Sequence, residues 1–405
     1  MAAAPLRVRR RLPGARIGLA PAGFLFRIAV SCFMSPATEF GLAPDLIYLN
    51  HAAVAPWPRR TAEAVARFAA ENSREGARHY PRWLQVEQRL RQRLARLIGA
   101  AEADVALLKN TSEAISVVAF GFPWRAGDNL VLAAEEFPSN RIPWQALARL
   151  GVECRLAHLT GAADPEQALL DLIDSRTRLL TVSSVQYGNG LRMDLERLGA
   201  ACRARGVTLC VDAIQSLGAL PFDVDAVSAD FVMADGHKWM LGPEGVALLW
   251  VRPAWRERLT LYQYGWHMTR QAGDFDAADW QPAADARRFE CGSPNLLGAH
   301  GLEASLSLLE EYGIERVQAD LLARSGYLIE RIGAAADLDL LSDPTPRRRS
   351  GIVTFRHRKI SNPDLHQRLK AAGVVCAQRG GGVRLSAHFY TPYEQLDRAL
   401  AAVGA

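Results

Sequence analysis

Cysteine is scarce in this 405-residue chain: six residues, at positions 32, 154, 202, 210, 291 and 376, with no CxxC spacing among them. That excludes a disulfide scaffold and offers no zinc-type ligand pattern, and it fits a reducing, cytoplasmic setting. No apolar run reaches the roughly 18–20 residues that a membrane helix needs, so no membrane partner is expected. Internal repeats and low-complexity segments are absent as well. So is a dominant charge of one sign. The formal net charge is +5, yet Arg7, Arg9, Arg10, Arg11, Arg16 and Arg27 all fall in residues 1–33, which hold no acid. The remaining residues, 34–405, sum to −1. Such a body has no basic field to grip a phosphate backbone, and no nucleic-acid partner is expected.

What is present is an ordinary globular composition, 49% apolar and 22% charged. The length suits two to three domains, or one large domain with an appendage. Residues 1–33 set a basic stretch before a semi-apolar one, a pattern resembling a signal or transit peptide. Arg27 and Pro21 interrupt the apolar part and no small-x-small cleavage site follows, so the segment reads as an unstructured extension with Met34 as the effective start.

From Asp45 onward short apolar runs alternate with helical patterns. Residues 130–133, 179–185, 208–211, 231–234 and 246–251 read as buried strands. The clearest helix spans 195–205, with Asp194 as N-cap and Gly206 closing it. This alternation predicts an α/β fold: a mostly parallel sheet between helices, with ligands at the carboxyl ends of its strands. Beyond about residue 290 the texture changes. Helices are expected at 302–312, 317–334, 365–372 and 392–403, and strands at 351–356 and 382–386. The domain reading is an extension over 1–33, a large domain over 34–290 whose first segment belongs partly to the small one, and a small α+β domain over 291–405. Residues 344–350, with Arg347, Arg348 and Arg349, read as a solvated loop.

Two residues carry the chemistry. Asp212 closes the strand Val211-Asp212, and Lys238 follows another in Asp235-Gly236-His237-Lys238-Trp239. Both are delivered at the functional edge of the sheet. A lysine there is ordinarily a solvated surface residue. Between His237 and Trp239, however, an unpaired ammonium is costly to bury, and a Schiff base removes that cost. A lysine that condenses with an aldehyde, and a carboxylate that keeps a pyridine nitrogen protonated, together suit pyridoxal 5′-phosphate (PLP).

These residues, with several ordered motifs over about 45–403, resemble the class V aminotransferases, fold-type I PLP enzymes that include cysteine desulfurases and isopenicillin N epimerase-like proteins. The resemblance implies a large PLP-binding domain and a smaller C-terminal one. Asn50-His51-Ala52-Ala53 is similar to the family's opening segment, placing His51 at the substrate. Asn110-Thr111-Ser112-Glu113 opens a helix, where amides and the hydroxyls of Thr111 and Ser112 would meet the cofactor phosphate. Phe137 would stack on the ring, where desulfurase-like members offer a histidine. A phenyl ring cannot shuttle protons, which leaves acid–base work to Lys238. Gln215 would bond the ring oxygen, and His237 would contact phosphate. Asp235 stands where many relatives carry serine, and a carboxylate there would repel phosphate, so it is left out of the site. Ser293 would complete a second subunit's phosphate site, which implies a homodimer with a shared active site. Arg384 would grip the substrate α-carboxylate with a bidentate fork.

A desulfurase also needs a mobile nucleophilic thiol. Cys376, eight residues before Arg384, reads as a small residue in a strand entering a short turn, structural rather than catalytic. His300, His366 and His388 read as packing or surface residues, and no metal site is expected. The expected function is therefore a cytoplasmic PLP-dependent enzyme acting on a small amino acid or related amine, most simply by transamination. Desulfuration, epimerisation and elimination are alternatives that use the same parts, and a non-catalytic PLP-fold binding protein is a further one.

Overall fold

Along the chain, runs of fully buried apolar residues form strands and the amphipathic stretches between them form helices, in a computed structural model that describes residues 38–404. The expectation for residues 1–33 lies outside the described residues. The chain enters through β1 (Ile47–Tyr48) and two long helices, α1 (Arg59–Glu75) and α2 (Tyr80–Leu97). There follow β2 (Val105–Leu108), α3 (Thr111–Gly121), β3 (Asn129–Ala133), α4 (Ile142–Gln145), β4 (Glu153–Ala157) and α5 (Pro165–Leu170). Next come β5 (Thr177–Ser183), α6 (Leu195–Arg205), β6 (Thr208–Asp212), β7 (Phe231–Asp235) and β8 (Ala247–Val251). The helices α7 (Leu296–Tyr312) and α8 (Ile314–Ala334) lead to β9 (Leu338–Leu340), β10 (Ile352–His357) and α9 (Asn362–Ala371). The chain ends with β11 (Val374–Val375), β12 (Ala377–Arg379), β13 (Gly382–Ser386) and α10 (Tyr393–Val403).

Seven strands form the main sheet in the order β2-β8-β7-β6-β5-β3-β4. All neighbours run parallel except β8, which is antiparallel to both β2 and β7. Every residue of β3, β6, β7 and β8 is buried, so these strands read as continuous apolar runs without alternation, the signature of a sheet covered on both faces. The α6 helix is bounded as its sequence dictates. Asp194 accepts from the Arg197 N–H at 3.1 Å, and Gly206 closes it at φ 66°.

A second sheet has the order β12-β13-β10-β9 and is antiparallel throughout. The β1 strand pairs in parallel with β11, so the start of the described chain lies beside its end. The α7 helix packs on α1 and α2, where Thr61 and Ser305 hydroxyls meet at 2.6 Å.

Residues 344–350 are not simply a solvated loop. Arg348 is buried and clamps the buried Glu166 of α5, with its Nη2 at 2.6 Å from one carboxylate oxygen. The Ser350 hydroxyl donates to the Gly190 carbonyl at 2.8 Å. The three-arginine pattern reads as polar surface because its buried counter-charge lies about 180 residues upstream, beyond the reach of local sequence.

Candidate active site

A cavity of about 630 Å³ opens where the carboxyl ends of β6 and β7, the start of α3 and the β12–β13 hairpin converge. Asp212 is the last residue of β6, paired across to Ser183 at the end of β5. Its carboxylate accepts the Ile214 N–H at 3.0 Å. Burial drives its pKa up. Glu136 nearby adds to that rise, while the Ile214 N–H and the Lys238 charge oppose it.

Lys238 lies three residues beyond β7 and is 8% exposed. Burial lowers its amine to about 8, Asp212 and Asp235 pull the other way, and the Arg384 charge lowers it further. Its Nζ lies 5.5 Å from the centre of the Phe137 ring. Phe137 in turn stands edge-on to Tyr187 at 5.1 Å. The turn after Lys238 is closed by the Leu241 N–H on the Lys238 carbonyl at 3.0 Å, with buried Leu241 in the left-handed region at φ 62°. That conformation is costly for leucine and persists because packing over-determines it.

Thr111 opens α3, and Asn110 caps that helix by accepting the Glu113 N–H at 2.9 Å. The Thr111 hydroxyl is buried with no hydrogen-bond partner, as are Asn50 Oδ1 and Arg384 Nε on the same cavity. Buried polar atoms are almost always paired, so three orphans around one cavity point to a polar ligand there. Ser112 also lines the cavity, its hydroxyl on Ser139 at 2.8 Å. Gln215 is held at both ends. Its amide donates to the Ala52 carbonyl at 3.0 Å, and its oxygen accepts from the Trp239 indole at 2.8 Å.

On the opposite wall, Arg384 of β13 is 2% exposed and donates from Nη1 to the Tyr187 carbonyl at 2.7 Å. Burial and the charge of Arg379 lower it to about 10. Among the described residues no carboxylate pairs with it.

Lys238, Asp212, Thr111, Ser112, Phe137, Gln215, His237 and Arg384, expected from the sequence to act together, thus line one cavity. Two others do not. His51 is fully buried outside it, with Nδ1 on the Ser386 carbonyl at 2.8 Å and Nε2 on the Tyr390 hydroxyl at 2.6 Å. Burial lowers it to about 4, so it stays neutral and structural. Its neighbour Asn50 faces the cavity instead, and the quoted motif held that residue all along. Ser293 is exposed and lines a separate recess with Lys109 and Glu113.

Three further residues were not singled out by sequence, and a fourth, Asp235, was left out of the site although it stands on the cavity. Asp235 lines the cavity, with its carboxylate 2.9 Å from His237 Nδ1. Ser183 sits beside Asp212 and reaches buried Glu136 with its N–H at 2.7 Å. Tyr187 and Arg379 complete the list. Only Arg379 carried a signal, as a second cation in the same hairpin as Arg384. Elsewhere, Glu87, His267 and Glu290 converge although no metal spacing links them in sequence. The Arg91 guanidinium occupies that cluster, paired with both glutamates.

A model of a known family, aminotransferase class V, matches residues 47–399. A probable cysteine desulfurase of Methanothermobacter thermautotrophicus is 30% identical over 383 residues, 89% of this chain and 94% of the relative. A cysteine desulfurase of Yersinia pestis is 29% identical over 386 residues, 88% and 92% of the two chains. Among solved structures, the cystine C–S lyase C-DES bound to its product cysteine persulfide superposes with a TM-score of 0.83 at 23% identity, over 89% of this chain and 97% of its own. The apo cysteine desulfurase of Thermococcus onnurineus NA1 gives 0.77 at 23% identity, over 88% and 93%. Those likenesses establish the fold, the fold-type I architecture. With the family model matched over most of its length, the chain belongs to the class V aminotransferase family.

Proposed function

We propose that this chain is a cytoplasmic PLP-dependent enzyme that transaminates α-amino acids, with Lys238 as covalent anchor and proton carrier. The observation that carries the reading is the buried Lys238 amine, lowered to about 8, sharing one cavity with Asp212 and with Arg384, which has no carboxylate partner among the described residues. The residues present fit the cofactor. The orphaned Thr111 hydroxyl, the amides opening α3 and His237 would hold its phosphate. Asp212 would pair with the ring nitrogen, Phe137 would cover a ring face, and the second Gln215 amide hydrogen would reach the ring oxygen. Ser293 from a second copy would complete the phosphate site in a homodimer.

When bound, PLP accepts the electron pair released at the substrate Cα. Arg384 presents a fork to the α-carboxylate, with its orphaned Nε as one donor. Lys238 then takes the Cα proton, and its lowered pKa supplies the neutral amine near physiological pH. Phe137 carries no proton, so one amine on one face does all the proton transfer. That suits moving a proton between two carbons on the same face, as transamination requires. Epimerisation needs delivery from the opposite face.

A second reading, cysteine desulfurase, is favoured by the names of the relatives and by Cys376 lining the same cavity. Against it, the Cys376 thiol is 7% exposed, pushed up to about 11 by burial, and held between the two short strands β11 and β12. A thiol of that kind is a poor nucleophile. One experiment tests both. A visible absorption band of the PLP-reconstituted protein, lost in Lys238→Ala and moved by α-amino acids with keto-acid release, supports transamination. Sulfide from cysteine that disappears in Cys376→Ala supports desulfuration and overturns the first reading.

A further inference from the structure

The two walls of the cavity differ in charge. Its carboxylates, Asp212, Asp235 and Glu244, all come from the main sheet and the connection after β7. The wall formed by α9 and the β11–β13 segment contributes His366, Arg379 and Arg384 and no carboxylate. Arg384 alone suffices for an α-carboxylate. Arg379 is surplus to that need.

The hairpin register sets where Arg379 stands. Ala377 lies directly across from Arg384, and residues directly opposite share a face of an antiparallel pair. Arg379 is two residues from Ala377, so it projects from that same face as the diagonal neighbour of Arg384. The turn cannot swing it away. Gly380 has φ 60°, and a Cβ there would meet the Gly188 carbonyl at 2.3 Å, so the hairpin is seated on the Tyr187–Gly188 backbone. Among the described residues its one side-chain hydrogen bond runs from Nη1 to the adjacent Gln378 carbonyl at 2.8 Å. Among the described residues no carboxylate pairs with it, while the surface arginines Arg356 and Arg358 both find Asp339. Its charge is felt at Arg384, which it helps to depress. Two like charges held on one face repel one another, and a ligand that carries two anions would turn that repulsion into attraction.

We propose that the substrate is an α-amino acid whose side chain carries a second anionic group, with Arg384 holding the α-carboxylate and Arg379 the distal acid. This rests on the amino-acid reading of the site above. His366, whose Nε2 lies 3.2 Å from the Cys376 carbonyl, stands on the same wall.

The test uses the PLP-reconstituted protein and the unreactive probes succinate and propionate, titrated by calorimetry. Wild type is expected to bind succinate about tenfold or more tightly than propionate, with a preference that shrinks as salt is raised because Arg379 is exposed. Arg379→Gln is expected to bring that ratio close to one, and Arg379→Lys to restore part of it. In parallel, the cofactor band is titrated with L-aspartate and L-alanine. A band moved equally by both, no succinate preference in wild type, or an Arg379→Gln variant that weakens both probes alike would overturn the proposal while leaving the cofactor reading intact. A band that no amino acid moves would sink the cofactor reading itself.

Discussion

The wall of the cavity built by the main sheet and the wall built by the small sheet are both charged, but their charges are settled differently. On the main-sheet wall Asp212 has Lys238 and the Ile214 N–H, and Asp235 has His237. On the small-sheet wall Arg384 has only a carbonyl, and its Nε has nothing. One wall holds both signs of charge and the other presents arginines without an acid among the described residues. The strand ends of a parallel sheet aim side chains from several strands at one point, so opposite charges there find one another. This hairpin places like charges on one face, where they repel one another.

The sharpest break is Lys238→Ala. It removes the amine proposed as anchor and proton carrier, and turnover is expected to fall about ten-thousand-fold, read as keto-acid release, with the folded state intact by circular dichroism. Next is the clamp between the two regions. Glu166→Ala strands the buried Arg348 and should cost about 3–5 kcal/mol in urea unfolding. Burial raises the Glu166 carboxyl, but the Arg348 hydrogen bonds and the Asp194 N–H outweigh that, and its pKa ends below the ordinary carboxylate value. The stability it contributes is therefore fully present above the ordinary carboxylate pKa and lost as pH falls through the depressed one. A Glu166→Gln variant should flatten that acid limb.

A gentler test uses pH. Only the neutral Lys238 amine can capture added PLP, so the rate of band formation should rise with pH and level off above about 8, where an ordinary lysine would still be charged. A rate still climbing toward pH 10 would show that the buried wall does not tune its lysine. The smallest effect is expected at Cys376→Ala, a loss of about 1 kcal/mol in stability with keto-acid release unchanged.

Much of the main sheet was legible because its strands are buried on both faces and its punctuation is local. Residues 208–211 and 231–234 read as apolar runs, each one residue short of the strand it marks, and the 195–205 helix has its cap and its stop written at its ends. The short elements were not legible. The two residues of β1 exist as a strand only because β11 lies beside them. The antiparallel entry of β8 depends on a connection with no pattern of its own. In the site, Lys238 and Asp212 fall on one cavity because each follows an apolar strand that ends at the same edge of the sheet. His51 misled because a histidine is a more conspicuous candidate than its neighbour Asn50, and which of two adjacent residues faces a cavity is a matter of backbone direction.

By itself the sequence determined the α/β alternation, the caps, the nearly neutral body, and the residue types able to hold a ring, a phosphate and a carboxylate. Those follow from local periodicity and functional-group chemistry. Only the tertiary structure decided which charges are paired. It set Asp235 on His237, Glu166 on Arg348 and Arg91 between two glutamates, and it left Arg379 and Arg384 side by side without an acid. Pairing depends on distances of a few ångströms between residues up to about 200 positions apart, and the energy of a charge depends on burial. Neither quantity exists until the chain is folded.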